Sequence, residues 1–163
     1  MKSLKKEIII PVLPENVFSF MDDVSKTGMH MSENSMMMMG SKLILEQIPG
    51  PSKGIGATFH WYGKVMRMPV DITETVTTWR ENREKVWETT GTPKIILLGW
   101  YRMILKTEPA KDGTCVSLQI DYTQPNGWFY KILYFFLSNW YCNWCLSNML
   151  NDCKKSFEKQ SEQ

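Results

Sequence analysis

Hydrophobic and polar positions alternate with a period of two along the middle of the chain. Leu43 and Leu45 stand against Lys42 and Glu46. Phe59 and Trp61 stand against His60 and Tyr62, and Val70, Ile72 and Val76 against Asp71, Thr73, Thr75 and Thr77. Such alternation marks strands with one face on a core and one in water. Between turn signals it predicts strands over Ser41–Ile48, Gly56–Val65, Val70–Trp79, Lys85–Gly91, Leu97–Glu108 and Thr114–Gln124. Pro49-Gly50-Pro51, Glu81-Asn82-Arg83, Thr92-Pro93-Lys94 and Lys111-Asp112-Gly113 supply the turns. Ahead of these, Lys5 to Val12 reads as an edge strand closed by Pro11. Pro14 then opens a short helix to Met21, and Val24 to Met31 makes a second helical turn.

After Pro125-Asn126-Gly127 the period changes to that of a helix, which runs to Glu158. Asn143, Ser147, Asn151, Lys154 and Glu158 share its wet stripe, while Cys142, Cys145, Leu146, Met149, Cys153 and Phe157 share the buried one. Traced backwards, the wet stripe passes through Trp140, Phe136, Leu133 and Phe129. The helix therefore breaks near Ser138–Asn139, or its first half is covered on both faces. Ile132 to Asn151 carries no charge, enough length to cross a bilayer, but Ser138, Asn139, Asn143, Ser147, Asn148 and Asn151 argue for a soluble helix. A run of antiparallel strands with one apolar face must curl over some apolar element, and this helix is the candidate.

Composition narrows the class. The chain has 163 residues, 43% hydrophobic and 22% charged, and fits one globular domain, 1–163. A net charge of +2 gives no nucleic-acid footprint. Four cysteines suit a reduced compartment, and the short Ile8–Ile10 run is no secretory h-region, so a cytoplasmic location is expected.

Candidate chemistry is sparse. Met29, Met31 and Met36–Met39 offer adaptable packing or a lid on a cavity; a soft-metal site with His30 is disfavoured because consecutive Met side chains diverge. Cys142, Cys145 and Cys153 have the spacing of a buried helix face and lack a second CxxC. His60 reads as a solvent-facing or core residue. Glu74 falls on the apolar face of its strand, where burial would raise its pKa, unless a bulge turns it to water. Tyr101, Met103 and Leu105 form one face of the sixth strand and Trp100, Arg102 and Ile104 the other, the first being the cavity-side set. No triad, carboxylate pair, phosphate loop or zinc spacing occurs, so neither catalytic residue, cofactor nor metal is assigned.

The element order as a whole resembles the helix-grip superfamily: the START-like, pollen-allergen-like and polyketide cyclase/dehydrase group known as SRPBCC. Local support comes from Pro14-Glu15-Asn16-Val17-Phe18 after the first strand, Gly54-Ile55-Gly56-Ala57 entering the third, and Lys85-Val86-Trp87-Glu88 in the fifth. The Met run departs from that pattern. The resemblance implies an α+β fold: a curved seven-stranded antiparallel sheet around a long C-terminal helix, two short helices between strands 1 and 2, and a cavity inside. Members bind lipids, sterols, plant hormones or polyketides, and a minority are cyclases or hydrolases. The expectation is a non-enzymatic binder of a hydrophobic or amphipathic small molecule (lipid, polyketide or isoprenoid-like), lined by Phe59, Trp61, Glu74, Met103, Tyr122, Phe136, Trp140 and Trp144. Two alternatives stand beside it. One is a cyclase or dehydratase using Glu74 or His60 as general acid/base. The other is an interaction module, homodimeric or in transient contact with a membrane surface, through Phe129, Leu133, Phe136 and Trp140.

Overall fold

A computed structural model describes residues 1–27, 42–65 and 68–161. The Met29–Met39 run, His30 and the end of the second helical turn lie outside the described residues. The elements are β1 (Lys2–Ile10), α1 (Pro14–Asp22), α2 (Val24–Thr27), β2 (Lys42–Gln47), β3 (Thr58–Val65), β4 (Met68–Arg80), β5 (Glu84–Lys94), β6 (Tyr101–Ala110), β7 (Gly113–Tyr122) and α3 (Trp128–Ser161). All seven strands form one antiparallel sheet in the order β1-β7-β6-β5-β4-β3-β2. This is the α+β architecture that the resemblance implies.

Several strands are longer or shorter than alternation suggests, because partners across the sheet decide their ends. β1 begins at Lys2, which pairs with Tyr122 of β7. β6 begins only at Tyr101; ahead of it Gly99 and Trp100 both bond Thr123, just past the end of β7: Gly99 N donates to Thr123 O at 2.9 Å and Trp100 N to Thr123 Oγ1 at 3.0 Å. β4 is irregular against β5 between Asp71 and Thr73 and again between Val76 and Thr78. The second irregularity changes face: Val76 stands opposite Trp87, yet Trp79 stands opposite Lys85, so Trp79 points inward with the even-numbered residues before it.

The core lies between the sheet, α1 and the second half of α3. Val17, Phe18 and Met21 of α1 join Leu105, Val116 and Leu118 from the sheet and Cys142, Leu146, Leu150 and Cys153 from α3. Phe18 meets Trp79 edge-on, with ring centroids 5.9 Å apart. α1 is further tied down at its last residue. Lys85, only 2% exposed, places Nζ 2.9 Å from Asp22 Oδ1 and donates to Asp22 O at 2.8 Å, and Trp79 Nε1 donates to Asp22 Oδ2 at 3.2 Å.

α3 passes Ser138–Asn139 without a break. Over its first half only Tyr134 and Ser138 are buried, continuing to Cys142 one turn on. Lys2 sits over the Tyr134 ring, 4.6 Å from its centroid, and Lys6 donates to Ser147 Oγ at 2.5 Å, so β1 runs along the helix. Eight large apolar side chains between Trp128 and Trp140 lie off this stripe and are exposed. The expected cover on the outer side of the first half is absent among the described residues.

The tightest turn gives a direct test. Gly113 has φ +134°, and a Cβ there would sit 2.1 Å from the Ile10 carbonyl oxygen. Gly113→Ala should therefore cost at least about 2 kcal/mol, read as a lower urea midpoint with an unchanged m-value.

Candidate functional site

Within the grip of sheet and α3 lies a cavity of about 90 Å³. Its sheet wall is Trp61, Ile72, Glu74, Lys85, Trp87, Tyr101, Met103 and Ile120; Tyr141, Cys145 and Met149 of α3 face them, and Met21, Val24 and Thr27 close one end. The register explains the convergence. Trp61 opposes Ile72, Phe59 opposes Glu74, and Glu74 opposes Thr89, which places all of them on the core face. The irregularities of β4 fall on either side of Glu74 and leave it inward.

Glu74 is the polar centre. It is 6% exposed; Tyr101 Oη donates to its Oε1 at 2.5 Å and Trp61 Nε1 to its Oε2 at 3.0 Å. Burial raises the pKa of its carboxyl, against the opposing pull of the Tyr101 and Trp61 hydrogen bonds, the Lys85 charge and Trp87. Burial, with the nearby Glu74, holds the Tyr101 phenol well above its ordinary value, so it remains a donor. A carboxyl that resists ionisation beside an aromatic hydroxyl can accept or give a hydrogen bond to a polar group entering the cavity.

The mouth follows from strand pairing. β5 and β6 pair only over Glu84–Glu88, after which they part. Thr89 replaces the missing ladder: its Oγ1 accepts from Tyr101 N at 3.2 Å and lies 3.4 Å from Tyr101 O. The segment 95–100 fills the gap. Ile95 and Leu98 line the cavity on one side and, on the other, an open groove of about 510 Å³ that reaches Lys94, Thr123–Asn126 and Tyr130. Two aliphatic side chains thus stand between interior and groove.

The expected lining residues divide. Trp61, Glu74 and Met103 line the cavity. Tyr122 is fully buried but packs edge-on against Tyr134 and is not part of the cavity wall. Phe59 shares the inward face but borders an outer groove with Asp22 and Lys53. Trp144 is half-buried and stacks on Tyr141, which itself lines the cavity. Phe136 and Trp140 are corrected outright: 72% and 54% exposed, they point away from the sheet, because the sheet meets this part of α3 only along the Tyr134–Ser138 stripe. His60 belongs to the outer face, where its Nε2 lies 2.9 Å from Asp71 Oδ1, and is not near Glu74's side of β3.

Lys85, Trp87, Tyr141, Ile95 and Leu98 join the site without having been expected there. For Lys85 a signal exists: it alternates with Trp87 and Thr89 on one strand face. Burial pushes the thiols of Cys142, Cys145 and Cys153 up to about 12, so none is a thiolate at neutral pH. Among the described residues, no three His, Cys, Asp or Glu side chains gather as a metal site. No helix among them is long and apolar enough to cross a membrane.

No family model and no curated protein matches this sequence. Solved structures do. TTHA0849 from Thermus thermophilus superposes with a TM-score of 0.69 at 17% identity, covering 94% of this chain and 95% of that one. Ara h 8.0201 gives 0.61 at 11% identity, covering 95% and 96%. The di-domain ARO/CYC StfQ from the steffimycin biosynthetic pathway gives 0.68 at 12%, covering 99% of this chain and 52% of that one. Identities this low establish the fold alone. That fold is the helix-grip fold, an antiparallel seven-stranded sheet against a long C-terminal helix.

The Glu74 environment has a measurable sign. Its folded pKa lies above the ordinary 4.5, so the stability cost of ionising it is absent at lower pH and grows as pH rises through the folded value. Glu74→Gln, which mimics the neutral carboxyl, should melt higher than wild type at neutral pH. The gap should close once the pH falls below about 4.5. Thermal melts across that range check it.

Proposed function

We propose that this protein binds a hydrophobic or amphipathic small molecule, of lipid, polyketide or isoprenoid character, between the sheet and α3 and does not transform it. The observation that carries the reading is an apolar hollow between the sheet and α3 in which, among the described residues, Glu74 is the single carboxyl. Apolar burial supplies affinity at about 25 cal/mol per Å². Glu74, Tyr101 and Trp61 orient whatever polar group the ligand carries. Trp61, Glu74 and Met103 remain the core of the lining set, with Trp144 supporting it through Tyr141. The cavity is smaller than the roughly 300–1,000 Å³ of a usual ligand pocket. Met21, Met103 and Met149, unbranched and adaptable, are the walls that yield on binding. The likeness to StfQ and Ara h 8.0201 is in keeping with such a cavity. Four free cysteines suit a reducing cytoplasm.

One observation favours a second reading. A carboxyl with a raised pKa next to a phenol is also the equipment of a general acid, as a cyclase or dehydratase would need. His60, on the outer face, is no part of it.

Native mass spectrometry and organic extraction of purified protein should reveal a co-purifying apolar compound. Long-chain fatty acids, prenyl alcohols and aromatic polyketides should be screened by thermal shift, with stabilisation expected from one class. Absence of both signals overturns the binding reading. If a compound that binds is also converted, and Glu74→Gln still binds it but stops conversion, the second reading replaces the first.

A further inference from the structure

The first half of α3 is the largest feature that the cavity leaves unexplained. Its exposed apolar residues, among them Trp128, Phe129, Phe135, Phe136 and Trp140, sweep about 220° of the helix circumference at 100° per residue, leaving only the Tyr134–Ser138 stripe on the protein. A rigid neighbour packs against an apolar stripe of roughly 100°, so a single protein partner would leave half of this surface in water. A fluid interface closes around the whole sweep.

The composition and charge favour the same occupant. Trp, Tyr and Phe predominate, the side chains suited to the boundary between headgroups and acyl chains. No acidic residue occurs on α3 before Asp152. Lys131 shares the stripe that carries Tyr134, and Lys2 lies over the Tyr134 ring, so both cations stand at the base of the apolar sweep, at the level of headgroups. The patch is also continuous, through Tyr130, with the groove outside Ile95 and Leu98.

We propose that residues 128–140 of α3 dock this protein on an anionic lipid surface, the aromatic side chains inserted at the interface and Lys2 and Lys131 on lipid phosphates, with the mouth of the groove held against the bilayer. The surface contact stands independently of what the cavity holds.

Flotation of the full chain with phosphatidylcholine vesicles, with and without phosphatidylserine, tests it. Binding to the phosphatidylserine vesicles should be at least about tenfold stronger and should weaken in high salt. Replacing Phe135, Phe136 and Trp140 together by Ser should lower binding at least about tenfold with an unchanged melting curve. Lys131→Glu should remove mainly the phosphatidylserine preference. Should the triple variant fail to fold, quenching of wild-type tryptophan emission by brominated phosphatidylcholine reads insertion directly and supports the proposal. The proposal is overturned by no flotation with either vesicle, by no quenching, or by undiminished binding of a folded triple variant. It is equally overturned by a wild-type dimer in sedimentation equilibrium that the triple variant dissolves, since a second copy would then cover the patch. None of these readouts depends on cavity occupancy, so failure here leaves the ligand reading standing.

Discussion

The sheet has one apolar face and α3 is not wide enough to cover it; the fold rests on how that shortfall is met. α3 seals the sheet from Cys142 onward with Leu146, Leu150 and Cys153, while α1 covers the remaining area through Val17, Phe18 and Met21. Where neither reaches, the 90 Å³ cavity is left. α1 can serve as a second cover because Asp22 is held by Lys85 and Trp79, an ion pair with its hydrogen bonds satisfied inside an aromatic cluster. A buried pair contributes little net stability once desolvation is counted. Its effect here is positional: it fixes the end of α1 over the cavity.

Glu74 and Lys85 are neighbours on the inner face with different fates. Lys85 reaches a full counter-charge and two oxygens of Asp22, so its ammonium is compensated. Glu74 has neutral donors and a more distant cation, and burial outweighs them. The polar centre of the cavity is therefore a hydrogen-bonded carboxyl whose burial disfavours its charged form, held by Tyr101 and Trp61.

Much of the fold is legible in the sequence because local chemistry and tertiary structure agree. Pro11, Pro14, Lys111-Asp112-Gly113 and Pro125-Asn126-Gly127 punctuate the chain where elements end, and the alternation through Val70, Ile72, Glu74 and Val76 survives into the structure. Trp79 is not legible, since the irregularity at Val76–Thr78 reverses its face and depends on the partner strand. Periodicity puts Phe136 and Trp140 on the continuation of the wet stripe, and both are exposed; their place in the lining rested on a cover for that face, which a helical period cannot supply and the described residues do not contain. Lys85 reads as part of a strand motif rather than as a buried cation because its partner Asp22 is 63 residues away in sequence. The mouth at Ile95 and Leu98 arises from two strands parting after Glu88, which no local pattern encodes.

An open sheet has two free margins, and β1 forms one of them. Its outer hydrogen-bonding groups are a template onto which a strand from another molecule can add. Lys2, Lys5 and Lys6 lie along that margin and Pro11 follows its last residue. Like charges meeting across a would-be junction repel, so the same short basic segment that runs beside α3 also discourages edge-to-edge polymerisation. A chain with this much exposed aromatic surface has particular need of that protection, because hydrophobic encounter would otherwise hold two such margins together long enough to pair.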